Sequence, residues 1–156
     1  MNRTYDLPEE SEMDRGIRIT RIWSDNDMVQ LQVEVSDGTS HFTNCMYVGF
    51  ADFAGTIEKL DRFKYAVHGG LVDVRFGELG CEYAGGAFHA RFHFSEPGGL
   101  LISSRQESDF TPFGKQSVAS NATLYIRSEP ALLDRFIEEL KGIGEDSDGE
   151  AFLEAV

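Results

Sequence analysis

The side chains with the most obvious chemical potential lie in residues 88–94 (FHARFHF), where His89 and His93 flank Arg91. Imidazoles are the usual choice for zinc ligation and for proton transfer near neutral pH. Strict alternation makes this segment a strand, and four strand residues separate the two histidine Cα atoms by ~13 Å at ~3.3 Å per residue. A shared zinc would need both nitrogens at ~2.0–2.1 Å. The pair therefore reads as polar-face histidines, with no metal and no cofactor expected. Other chemical motifs fail in the same way. Cys45 and Cys81 lie in no nucleophile motif and read as reduced thiols. Asp146, Asp148, Gly149 and Glu150 suggest a calcium loop, yet placing Gly149 at its sixth position puts Gly144 first and Ala155 last, neither a ligand. The glycine pairs at 69–70, 85–86 and 98–99 precede no Gly-Lys-Ser/Thr and read as turn glycines. No G-x-S-x-G occurs, so the chain is not expected to be an enzyme.

One constellation does merit a functional hypothesis. If Val72, Val74 and Phe76 face the core, Asp73 and Arg75 face outward. The same parity puts His89, Arg91 and His93 outward, with Ser103 and Arg105 on the next strand and Tyr125 and Arg127 on the one after. Arg75, His89, Arg91, His93, Arg105, Tyr125 and Arg127 would then share one open sheet face. Arginine and tyrosine are favoured contact residues in protein recognition. The competing reading is a solvated face whose arginines pair across strands with Asp73 and similar acids.

The elements that must position these residues follow from periodicity. Residues 17–23 and 28–36 read as strands, the latter alternating Val29, Leu31, Val33 and Val35 with polar residues. Asp37-Gly38 turns the chain into a third strand, 41–48. Phe50, Phe53, Ile57 and Leu60 then follow a helical period. Residues 71–76, 88–94, 100–106 and 117–127 read as strands, with 109–115 as a loop. Ser128 is a candidate cap for a second helix carrying Leu132, Leu133, Phe136, Ile137 and Leu140, with Gly142 as its stop. The expected fold class is α+β: an antiparallel sheet of about six to seven strands with two helices packed on one face. Its expected organisation is a flexible arm at 1–15, a single domain at 16–142 and an acidic tail at 143–156. The apolar end of that tail, 152–156, could alternatively dock on another chain.

Acids outnumber bases 27 to 14, for a formal charge of −13. Such a chain repels phosphate backbones and anionic lipid, so neither nucleic acid nor membrane is an expected partner, whereas a basic protein surface is. The charge is unevenly spread: residues 1–15 carry five acids against two arginines, residues 143–156 five acids and no base, and residues 16–142 seventeen acids against twelve bases. The first fifteen residues hold no apolar signal region, so a cytoplasmic, bacterial-type setting is expected.

The acidic composition, the strands before IEKLDRF, the hairpin-rich middle and the closing helix LLDRFIEELKGI carry a resemblance in layout. From about residue 17 to 142 the chain resembles small bacterial α+β immunity proteins of polymorphic toxin systems, of the WapI-like type. The resemblance implies a non-catalytic cytosolic protein that binds a basic toxin domain and neutralises it. The alternative is a small-molecule-binding protein or enzyme using the open sheet face or the 109–115 loop.

Overall fold

The computed structural model describes residues 14–80, 85–95, 98–145 and 149–156. Almost all of the expected flexible arm, and Cys81, lie outside these residues. The elements run β1 (Gly16–Ser24), β2 (Met28–Ser36), β3 (His41–Gly49), α1 (Phe50–Phe63), β4 (Leu71–Phe76), β5 (Ala87–Ser95), β6 (Gly99–Glu107), β7 (Thr111–Phe113), β8 (Gln116–Val118), β9 (Asn121–Ser128), α2 (Pro130–Glu145) and β10 (Glu150–Glu154).

The fold is α+β with two helices and antiparallel strands, but the strands form three sheets instead of one. The first sheet has the order β10-β1-β2-β3, the second β4-β5-β6-β9, and β7 pairs with β8 in a separate ribbon. Alternation reveals which face a residue occupies and says nothing about which strand lies next door. Here α1 leaves the edge strand β3 and delivers β4 to a new sheet. Likewise α2 leaves the edge strand β9 and delivers β10 back to the first sheet. The molecule is thus two ββββα units, the first of which takes its opening strand from the C-terminal end of the chain.

The helices pack on each other, α1 against β3 and β4, and α2 against β10. Phe63 stacks on Phe94 with centroids 4.6 Å apart, and Phe53 lies 6.0 Å from Phe76. Val29, Leu31, Val33 and Val35 are buried as their alternation predicts, and so are Phe53, Ile57 and Leu60.

Of the stretch 143–156, expected as an acidic tail, the described residues 143–145 and 149–156 are instead structural. α2 runs past Gly142 to Glu145, and the Arg21 guanidinium donates to the Ile143 carbonyl near its C-terminus at 2.9 Å, a position that favours a cation. β10 pairs with β1 from Gly16↔Glu154 to Thr20↔Glu150. Ala151 and Leu153 are fully buried. Arg18 pairs with Glu150 and stacks over the Phe152 ring at 4.6 Å. A Cβ at Gly16, where φ is +142°, would collide with the Leu153 carbonyl. Glu150 and Glu154 therefore line a sheet edge, and Ala151 and Leu153 enter this chain's own fold instead of docking elsewhere. Sequence periodicity missed β10 because only Ala151 and Leu153 point inward, too few to register as a period.

Two smaller expectations change as well. Residues 109–115 are not a plain loop, since Thr111–Phe113 and Gln116–Val118 form the β7-β8 ribbon, and the final strand of the second sheet begins only at Asn121. Ser128 does not cap α2. Its hydroxyl donates to the Glu154 carbonyl at 2.7 Å, linking β9 to β10.

One contact between the two sheets, within the apolar core they share, is polar. The Asn44 amide nitrogen donates to the carbonyls of Ala87 (3.0 Å) and Glu107 (2.8 Å). The Gln106 amide nitrogen lies within hydrogen-bonding distance of the carbonyls of Val33 (3.1 Å) and Phe42 (3.2 Å) and of Asn44 Oδ1 (2.9 Å). Gln106 is fully buried and Asn44 nearly so.

Two stability predictions follow from this arrangement. Leu153→Ala should destabilise the protein by ~2–5 kcal/mol in urea unfolding, as for other buried leucines; an unchanged midpoint would mean that β10 is not part of the cooperative fold. Gln106→Leu should cost ~1–3 kcal/mol, because buried acceptors at the seam lose the amide that serves them, and a neutral or stabilising outcome would show the seam to be dispensable.

Candidate functional site

The second sheet turns Val74, Phe76, Phe88, Phe92, Phe94, Ile102, Leu124 and Ile126 inward. Its other face is open. Register arranges the outward residues in three rows across β4, β5, β6 and β9: Leu71, His93, Leu101 and Arg127; Asp73, Arg91, Ser103 and Tyr125; Arg75, His89, Arg105 and Thr123; a shorter fourth row, Ala87, Glu107 and Asn121, follows on β5, β6 and β9. All seven candidates read from the sequence, namely Arg75, His89, Arg91, His93, Arg105, Tyr125 and Arg127, lie on this surface. Adjacent positions in a row are set by the ~4.7–4.9 Å strand spacing.

The four arginines do not share one electrostatic state. Arg91 makes a two-pronged contact with Asp73, Nε to Oδ1 at 2.8 Å and Nη2 to Oδ2 at 3.1 Å. Arg75 approaches the same carboxylate at 3.9 Å. Arg105 and Arg127 have no ion-pair partner among the described residues. The solvated, cross-paired reading thus describes one side of the face, and on the β6-β9 side Arg105 and Arg127 stay outside any ion pair among the described residues. The hydrogen bond from Arg91, reinforced by its charge, holds the Asp73 carboxyl below its ordinary value despite some opposing burial.

His89 places Nε2 2.9 Å from the Gly77 carbonyl. His93 stands two rows away, so the histidines do not converge. Among the described residues no three of His, Cys, Asp and Glu come together as a metal-binding group. Cys45 lies elsewhere, half-buried on β3. Burial, with a further contribution from the Asp109 charge, pushes its thiol up, which works against nucleophilic reactivity.

A depression of about 410 Å³ lies across the first two rows, lined by Leu71, Arg91, His93, Leu101, Ser103, Tyr125 and Arg127 together with Ile102 and Ile126. Leu71 and Leu101 were missed as site residues. Their outward parity was legible, since Leu71 precedes inward Val72, but apolar residues read as core by default. The first sheet's outer face carries a second exposed group. Trp23 and Tyr47 meet edge to face at 5.8 Å, beside a register shift between Arg21 and Trp23.

The Asp73–Arg91 pair makes a testable electrostatic statement. Because the folded carboxyl is depressed, the pair's contribution is present above the ordinary aspartate value of 3.8 and is lost as pH falls through the lower folded value. Carboxyl NMR titration should place the Asp73 midpoint below 3.8, and Arg91→Gln should raise it. A midpoint unmoved by that substitution would contradict the assignment.

No protein-family model, curated protein or solved structure matches the chain.

Proposed function

We propose that the protein is a non-catalytic binding module that recognises another protein through the outer face of the second sheet. The observation that supports this reading is a local reversal of charge. On a chain of net charge −13, this face carries four arginines against Asp73 and Glu107, the latter accepting from the Gly80 N–H at the far end of β6, and Arg105 and Arg127 have no ion-pair partner among the described residues. Tyr125, 72% exposed, stands beside Arg127 on β9, in the row between those of Arg127 and Arg105. Exposed arginine and tyrosine around a shallow apolar centre is the composition of an interaction hot spot.

In its concrete form the module is a cytosolic immunity protein that neutralises a bacterial toxin domain. The resemblance in layout supports that form, as does the acidity of the rest of the molecule. A basic toxin would be steered in by the long-range field, and the arginine face would then meet acids at its contact surface. A second reading, a small-molecule-binding protein, is favoured by the depression of about 410 Å³ on the same face, a volume within the range of ligand pockets.

The test is retention of partners from a native-host lysate at low salt, identified by mass spectrometry. Wild-type protein should hold a stoichiometric protein partner, and rising salt should release it. The Arg105→Glu/Arg127→Glu double variant changes two exposed side chains, so it should stay folded by circular dichroism and lose the partner. Equal retention by that variant would sink the proposed surface.

A further inference from the structure

We infer that the depression on the second sheet is a binding site for a carboxylate carried on an apolar body. The inference rests on the reading above only in taking this face as the working surface.

The side chains along β6 create the shape. β6 contributes Leu101 and the small Ser103 to the floor, while the larger pairs Arg91/His93 on β5 and Tyr125/Arg127 on β9 rise on either side. The result is a short trough running along a central strand. Leu101 is 37% exposed and Leu71, at the β4 end of the same row, 53%. Leu101, held open on the interior strand β6 beside an exposed tyrosine ring, and Leu71 on the edge strand β4 gain by covering with a ligand's hydrocarbon.

Charge selects the polar end of that ligand. Arg127, opposite Leu101 in the first row, has a guanidinium with no ion-pair partner among the described residues. Arg91 on the other wall has committed Nε and Nη2 to Asp73, and no hydrogen bond among the described residues engages its Nη1. One free planar fork matches a carboxylate, which an arginine binds through two parallel hydrogen bonds. A phosphate dianion asks for more positive charge than one free and one neutralised guanidinium supply. The remaining cations, Arg75 and Arg105, stand in the third row, outside the lining.

The same chemistry is available from two sources: a free small organic acid, or the terminal carboxylate of a protein ending in an apolar residue. Titration of the full-length protein, followed by amide NMR, separates them. The probes are 4-phenylbutyrate, its neutral amide, and a peptide ending in phenylalanine with a free or an amidated terminus. The acid should give saturable shifts centred on Leu101, Ser103 and Arg127, and the neutral amide should not. Arg127→Gln should weaken binding roughly tenfold or more, the effect of losing hydrogen bonds to a charged group. Asp73→Asn should strengthen it by releasing Arg91. Arg62→Gln, exposed on α1 and away from this face, should change nothing.

Binding of the free-terminus peptide together with the small acid assigns the site to a protein terminus as well, and binding of the acid alone assigns it to a metabolite. Equal binding of acid and amide, no saturable shift with any probe, or indifference to Arg127→Gln overturns the inference. The titration requires no protein partner, so its failure and a failed lysate capture are separate results.

Discussion

The contact between Asn44 and Gln106 is the constraint on which the rest of the molecule depends. Two four-stranded sheets that share only apolar surface could slide or rotate against one another at little cost. Here two carboxamides bridge them, reaching backbone carbonyls of β2, β3, β5 and β6. Each bond is directional, and each acceptor would be left buried and unpaired if the sheets shifted. The seam therefore sets the relative placement of the sheets, and apolar packing fills the remaining space.

That placement determines which surfaces face outward. Because α1 and α2 each pass from one sheet to the other, both inward faces are used up in a common core with the helices. The outward face of the second sheet remains available along its whole width. Its arginines are carried on strands whose alternate residues are phenylalanine, isoleucine and leucine in the core, so the hydrophobic interior holds the cationic rows in register. The acids, by contrast, lie in part on the first sheet's edge, where Glu150 meets Arg18. At Glu145, Glu150 and Glu154 the negative charge belongs to the folded surface and not to a trailing tail.

The strands and helices were largely legible from the chain. Alternation in 28–36 and 71–76, and the helical spacing of Phe53, Ile57 and Leu60, are local consequences of side-chain direction. They survive whatever the rest of the molecule does. The outward parity of Arg75, Arg91, Arg105 and Arg127 was legible for the same reason. Less visible were features that need two distant segments. β10 has too few inward residues to announce itself, and becomes a strand because Gly16 lets its backbone come close and Arg18 receives its acid. Ser128 looked like a helix cap because helix caps are local, and it bonds instead to Glu154, 26 residues away.

The sequence by itself determined the period of β1 to β6, β9 and both helices, the face their residues would occupy, and hence the candidate surface; β7, β8 and β10 it did not reveal. Tertiary structure alone decided that the described strands form two main sheets, that the C-terminal strand belongs to the first, and that Arg91 is neutralised while Arg105 and Arg127 have no ion-pair partner among the described residues. The reason is physical. Backbone alternation is encoded residue by residue, whereas strand neighbours and ion pairs depend on which distant segments the core and its polar seam bring within hydrogen-bonding distance.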